Sequence, residues 1–237
     1  GIEVHPWFCV VKRERDLHPE FVEETTPAGF YDVHRPEFRD FIVGLMLDVI
    51  GRYEVDGINL DYIRTGGQCR GEKCLAEYRQ RFGSELADDV QAVQKPGWAN
   101  ANVLAWQDEA IADIVKRVAE QGRALKPGLV ISVDGHVKPP GAAPDASGRN
   151  ETMWVNAGWV DVAYNMDYGR VLAFAALDAV RGASNRPQVY VCLPGNYERG
   201  DDGKVVPRDG QLVADQIAFC QRKWPGTGVG LYLYSML

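Results

Sequence analysis

Residues Tyr53–Arg64 read YEVDGINLDYIR. The core of this stretch, Val55–Ile63 (VDGINLDYI), has the length and branched aliphatic content of a strand. Alternation puts Gly57, Asn59 and Asp61 on one face and Ile58, Leu60 and Tyr62 on the other. The apolar set suits a layer beneath helices, and the polar set suits the interior of a barrel. Asp61 falls at the strand's C-terminal end. Upstream, Ile2–Val11 reads as a strand, and Pro36 opens a helix in which Phe38, Phe41, Ile42, Leu45, Val49 and Ile50 recur at helical spacing to about Tyr53. Downstream, a loop with Gly66, Gly67, Cys69 and Gly71 leads to a short helix around Cys74–Phe82. A long helix, Asn102–Leu125, is ended by Lys126-Pro127-Gly128.

The same alternation continues. Leu129–Asp134 is a strand, Lys138–Arg149 a Pro/Gly-rich loop, Val160–Met166 a strand and Leu172–Val180 a short helix. Gln188–Leu193 is a strand, Leu212–Trp224 a helix with Asp209 as its cap, and Gly228–Tyr234 a last strand. Strands separated by helices predict an α/β fold with parallel pairing. A doubly wound nucleotide binder would carry a Gly-rich turn after an early strand, and none is present. Asp61, Asp134, Asp167 and Tyr234 stand at strand ends instead, as active-site residues of a (β/α)8 TIM barrel do. Six strands are two short of eight. The expectation is a single (β/α)-barrel domain over residues 1–237 that lacks the first two β/α units and the last helix, with a complete six-stranded fold as the alternative.

The 237 residues are 46% hydrophobic and 25% charged, which excludes disorder and a disulfide-dense miniprotein. A net charge of -7 without a Lys/Arg block excludes general nucleic-acid binding. No apolar run approaches the ~18–20 residues that span a bilayer, and Gly1–Val11 lacks the pattern of a signal peptide. Among the five cysteines, Cys69 and Cys74 are near enough in sequence to pair, or to be ordinary free residues. The histidines His5, His18, His34 and His136 form no H-x-H or H-E-x-x-H pair, and Cys69–Cys74 lacks C-x-x-C spacing, so no metal site is read from the sequence. There is no G-x-S-x-G elbow and no P-loop. A hydrolase without metal or cofactor is the economical reading.

The Tyr53–Arg64 stretch resembles the fourth strand of the glycosyl-hydrolase-like family 10 barrels, Y-x-V-D-G-I-x-x-D-Y-x-R. Gly1–Phe8 (GIEVHPWF) is similar to that family's third strand, G-x-x-V-H-x-W. Val33–Ile42 (VHRPEFRDFI) is similar to the helix start H-P-x-x-R-x-[FY]-[IL], with Arg35 inserted between His34 and Pro36. Val160–Tyr168 (VDVAYNMDY) is similar to the sixth-strand pattern V-D-x-x-x-x-M-x-Y, and GVGLYLY suits strand eight. The resemblance implies a glycosidase of the secreted or cell-envelope type acting on a polysaccharide, with peptidoglycan glycan strands among the candidate substrates.

Glycosidases generally use two carboxylates, ~5 Å apart for retention and ~6.5–9.5 Å apart for inversion. Asp61 is the first candidate, as nucleophile or base, against the alternative of a buried carboxylate paired with Arg64. Asp134 ends the next strand and is the preferred partner, against a turn residue before Gly135. Asp167 is the reserve: either Tyr164, Met166 and Tyr168 or Asn165 and Asp167 face inward. His5, Trp7, Arg64, Tyr164, Glu198 and Tyr234 are candidates for sugar contact, each against an ordinary packing or loop role. The stretch also resembles in part the chitinase-like pattern D-x-x-D-x-D-x-E, filled here by Asp56, Asn59, Asp61 and Ile63. The acid of that pattern is absent, so a general acid would come from another strand. A non-catalytic carbohydrate-binding barrel and a metal-dependent deacetylase are the competing classes. The oligomeric state is not legible.

Overall fold

The computed structural model describes residues 1–23, 25–92 and 98–233. They form two compact units, Gly1–Val133 with Ala143–Val160, and Asp134–Ala142 with the residues from Asp161 onward. Five strands lie in parallel ladders and alternate with helices, so the fold is α/β as expected.

In the first unit β1 (Trp7–Cys9) and β2 (Gly57–Asp61) pair in parallel, with Trp7 opposite Asn59 and Cys9 opposite Asp61. β2 also pairs with β3 (Val130–Gly135), from Gly57 opposite Val130 to Leu60 opposite Val133. β1 is shorter than the expected Ile2–Val11: Pro6 has no N–H to give a ladder before Trp7, and past Cys9 the Val10 and Val11 N–H groups follow the Asp61 and Tyr62 carbonyls out of the strand. The chain before it still holds to β2: the Val4 carbonyl accepts the Asp56 and Gly57 N–H groups, and the Val4 N–H donates to Asp56 Oδ2 at 2.8 Å.

Helix α1 (Pro36–Arg52) buries Phe38, Ile42, Val43, Met46 and Ile50, one face at helical spacing. It packs on α4 (Ala101–Leu125), which buries Trp106, Ile111, Ile114, Val115 and Val118. Gly122 of α4 lies against Leu129 and Ile50, a contact that leaves no room for a Cβ. After α4, Lys126 Nζ donates to the Tyr53 and Val55 carbonyls at 2.9 and 3.0 Å, tying the end of α4 to the segment entering β2. Between β2 and α4 stand α2 (Glu72–Phe82) and α3 (Leu86–Gln91). Neither α3 nor α5 (Glu151–Asn156) was expected; each is only six residues long, too short for its periodicity to be read.

In the second unit β4 (Val162–Asp167) pairs in parallel with β5 (Tyr190–Pro194), from Ala163 opposite Tyr190 to Asp167 opposite Pro194. α6 (Ala175–Ala183) begins three residues later than expected, because Asp167 Oδ2 takes the Ala173 N–H at 2.6 Å and holds Leu172–Ala173 in a loop. An antiparallel hairpin, β6 (Tyr197–Arg199) with β7 (Val205–Pro207), was not expected either. α7 (Gly210–Lys223) is capped as expected, with Asp209 Oδ1 accepting the Leu212 N–H at 3.0 Å. The last segment runs beside β5: the Gly230 and Tyr232 N–H groups donate to the Cys192 and Pro194 carbonyls. Tyr234 lies outside the described residues.

The loop before α5 is pinned by Asp145. Burial pushes its carboxyl up, but the Ser147 hydroxyl and N–H and the Arg149 guanidinium outweigh that and hold it at about 2. A carboxyl lowered in this way stabilises the fold above its unfolded value, and the contribution, ~2 kcal/mol, disappears as pH falls from ~4 toward ~2. Asp145→Asn therefore flattens the acid limb of a pH–stability curve measured by urea denaturation; an unchanged limb contradicts the assignment. In the same assay Ile111→Ala, at a fully buried position of α4, lowers stability by ~2–5 kcal/mol.

Candidate active site

Asp61 is the last residue of β2 and its only incompletely buried one. The next residue, Tyr62, has φ 48°, in the left-handed region that a bulky side chain rarely enters. That turn aims the Tyr62 N–H back at Asp61 Oδ1, 2.6 Å away. Trp7, two residues before Cys9, Asp61's partner on β1, donates its indole N–H to the same carboxylate and is itself 53% exposed. Burial pushes the Asp61 carboxyl above its ordinary value. The Tyr62 and Trp7 N–H groups and the charges of Arg64 and Lys12 pull it down without cancelling the burial. The Lys12 ammonium sits 4.7 Å above the Tyr62 ring, and the Arg64 guanidinium stands 5.5 Å from that ring and 5.9 Å from the Phe30 ring. Asp61, Trp7 and Arg64 are thus brought together. Lys12 was missed, although it stands just past the end of its strand as Arg64 does.

Arg64 also lines an open polar pocket of about 760 Å³ in the first unit. Phe30, Thr65, Gln107, Ser147 and Arg149 form much of its wall. The Thr65 N–H donates to the Ser147 carbonyl at 2.8 Å, joining the loop after β2 to the loop before α5. Gln107, 1% exposed, donates Nε2 to the Gly67 carbonyl at 3.1 Å, while its Oε1 and the buried Thr65 Oγ1 have no partner among the described residues. Gly66 packs flat against the Phe30 ring and Gly148, at φ 77°, against the Gln107 carbonyl. In the sequence this pocket showed as Arg64, Gly66, Gly67 and the Pro/Gly-rich loop Lys138–Arg149, without a pattern that brought them together. His5 packs on Gly57, at the opposite end of β2 from Asp61.

In the second unit Asp167 is buried, and burial raises its carboxyl against the Ala173 and Gly169 N–H groups and the charges of His136 and Arg208. Asn165 and Asp167 lie opposite Cys192 and Pro194, so those residues share a face. Cys192 meets Cys220 of α7, which makes that face the helix side. Tyr164, Met166 and Tyr168 face the other way, and Tyr164 and Leu193 close on Gly230. Asp167 staples the loop after β4. Glu198 is held by Arg170, whose Nη1 lies 2.6 Å from both carboxylate oxygens. Sequence reading missed a cluster here: Tyr168 stacks on Tyr232 at 5.3 Å between ring centroids, and Tyr197 leans on both. Asp134 is the fifth residue of β3, one past Val133, just as Asp61 is one past Leu60.

Cys69 and Cys74 are cross-linked as a disulfide. Among the described residues the one Cys, His and carboxylate cluster close enough to hold a metal ion is Glu23, Asp32, Cys69 and Cys74, at the start of α2 rather than around Asp61.

The profile of the family described as Glycosyl hydrolase-like 10 matches residues 1–186. Glycosyl hydrolase DigH of Escherichia coli (strain K12) is 24% identical over 87% of this chain and 53% of that protein. The chain therefore spans about half the length of the curated relatives it matches. Among solved structures, the PgaB (BpsB) glycoside hydrolase domain from Bordetella bronchiseptica is similar with a TM-score of 0.69 at 12% identity, over 100% of this chain and 72% of that one. A beta-galactosidase from the psychrophilic Marinomonas ef1 is similar with a TM-score of 0.61 at 12% identity, over 99% and 44%. These structural likenesses concern the fold alone. The chain belongs to the glycosyl hydrolase-like 10 family.

Proposed function

We propose that this protein is a glycoside hydrolase of the (β/α)8 barrel type, cleaving an O-glycosidic bond in a polysaccharide of the cell envelope such as peptidoglycan glycan. The observation that carries the reading is Asp61: a carboxyl at the end of a buried parallel strand, raised by burial and oriented by the Tyr62 and Trp7 N–H groups. A raised carboxyl is what a general acid needs. Asp61 is therefore assigned as proton donor to the glycosidic oxygen, with nucleophile or base as the alternative role that the test below separates. Asp134 is the partner carboxylate, attacking the anomeric carbon or activating water; Asp167, on the helix side of β4 and accepting the Ala173 N–H, is left to holding its loop. The leaving sugar takes the Asp61 proton, the glycosidic C–O bond breaks, and water supplies the new anomeric hydroxyl. Trp7 and Arg64 contact sugar beside Asp61; Tyr164, Glu198 and Tyr234 are further contact candidates, and His5 supports the strand through Gly57. The Cys69–Cys74 disulfide suits an oxidising, extracytoplasmic location.

The test is release of reducing ends from a panel of polysaccharides that includes peptidoglycan stripped of peptide, with folding verified by circular dichroism. Asp61→Asn lowers the rate on polymer by ~100- to 10,000-fold. The same variant loses far less on a dinitrophenyl glycoside, whose leaving group needs no proton. Equal loss on both substrates makes Asp61 a nucleophile; no loss on polymer removes it from catalysis. For the acid role, wild-type kcat falls as pH rises through the raised Asp61 value. An alkaline limb unaffected by Asp61→Asn contradicts that role.

A further inference from the structure

We propose that Glu23, Asp32, Cys69 and Cys74 form a zinc site when the Cys69–Cys74 disulfide is reduced. The four ligand atoms lie within 4.8 Å of one another, and Asp32, Cys69 and Cys74 are buried. Asp32 Oδ2 faces the two sulfurs, 3.0 Å from Cys69 Sγ and 3.4 Å from Cys74 Sγ, while its Oδ1 accepts the His34 N–H at 3.1 Å. Asp32 is 2% exposed, and among the described residues neither it nor Glu23 pairs with a lysine or arginine. A disulfide sulfur carries no hydrogen. With the cross-link intact, Oδ2 of a buried carboxylate therefore meets, among the described residues, sulfur lone pairs rather than hydrogens, the arrangement that buried polar atoms avoid. The oxygen is satisfied in the reduced states, by a thiol hydrogen or by a metal.

Two further features fit an ion. Glu23 Oε2 occupies the space that a Cβ at residue 71 would need, so Gly71 lets this carboxylate reach the start of α2. Cys74 sits in the first turn of that helix, whose free N–H groups favour a thiolate. Two thiolates and two carboxylates are a donor set that zinc accepts, with Zn–S of about 2.3 Å and Zn–O of about 2.0–2.2 Å. Reduction by a dithiol or phosphine breaks the S–S bond with two electrons and two protons, giving two thiols and the oxidised reductant. Zinc then displaces both thiol protons to solvent. Disulfide and zinc are mutually exclusive: the disulfide joins the loop after Arg64 to the first turn of α2, and zinc would join both cysteines to Glu23 and Asp32 in the segment before α1. The sequence hid the site because C-x4-C is not a zinc spacing and the two acids lie some forty residues upstream.

The experiment uses the full chain, reduced with a phosphine that is then removed under argon, and titrated with Co2+ and Zn2+. The reduced protein binds one Co2+ with a thiolate-to-cobalt charge-transfer band that Zn2+ abolishes, and the oxidised protein shows no such band. Cys69→Ser removes the band. Glu23→Gln, at a half-buried position least disruptive to folding, weakens Zn2+ binding at least ~10-fold. A folded, reduced protein without the band overturns the proposal. So does a band that survives Cys69→Ser, or Zn2+ affinity indifferent to Glu23→Gln. The outcome is independent of glycosidase activity.

Discussion

A parallel strand paired on both sides has no free edge, and β2 is such a strand. Its backbone groups are spent on β1 and β3, and its residues Gly57–Leu60 are buried. A carboxylate inside that strand would be desolvated at a cost of several kcal/mol. Asp61 escapes because it is the final residue, where the ladder ends and the chain turns. The left-handed conformation of Tyr62 makes that turn and returns an N–H to the carboxylate. Strain of this kind costs about 1–3 kcal/mol and is held in place by its surroundings. Here the Val11 N–H on the Tyr62 carbonyl and the Lys12 ammonium over the Tyr62 ring do so.

The remaining elements serve this position. Packing of α1 on α4 buries the apolar face of both helices, and Lys126 anchors the approach to β2. The loops after β2 and before α5 are tied by Thr65 and Ser147 and line an open polar pocket with Arg64. The Asp61 carboxyl then rests on a balance. Burial favours its protonated form, while two N–H donors and two cations favour the ionised one, and burial prevails. A general acid for sugar chemistry needs that sign.

Much of this was legible in YEVDGINLDYIR. Alternation placed Asn59 and Asp61 on one face, and Asn59 Nδ2 does donate across to Ser132 Oγ on β3 at 3.0 Å. The long amphipathic helices and the Asp209 cap were legible because periodicity over many residues, or one short-range hydrogen bond, specifies them. Elements of three to six residues were not: α3, α5 and the β6–β7 hairpin are stabilised by tertiary contacts that local pattern does not encode. Asp89 illustrates this. It gathers Tyr78, Ser84 and Asn102 from three segments around the start of α4, a convergence no spacing announces. The Tyr168–Tyr197–Tyr232 cluster and the Glu23–Asp32–Cys69–Cys74 group were hidden for the same reason. The register of β4, which alternation left open, was decided by Cys192 meeting Cys220.

The proposed chemistry depends on the ionisation of a single carboxyl. Its most direct test is titration of Asp61 by infrared difference spectroscopy between the wild-type protein and Asp61→Asn, following the protonated carboxyl stretch against pH. The account predicts that the Asp61 signal persists above the pH at which an ordinary aspartate ionises. Loss of the signal at or below that pH would contradict it, because the N–H donors and cations would then outweigh burial, leaving a carboxylate unable to act as the acid.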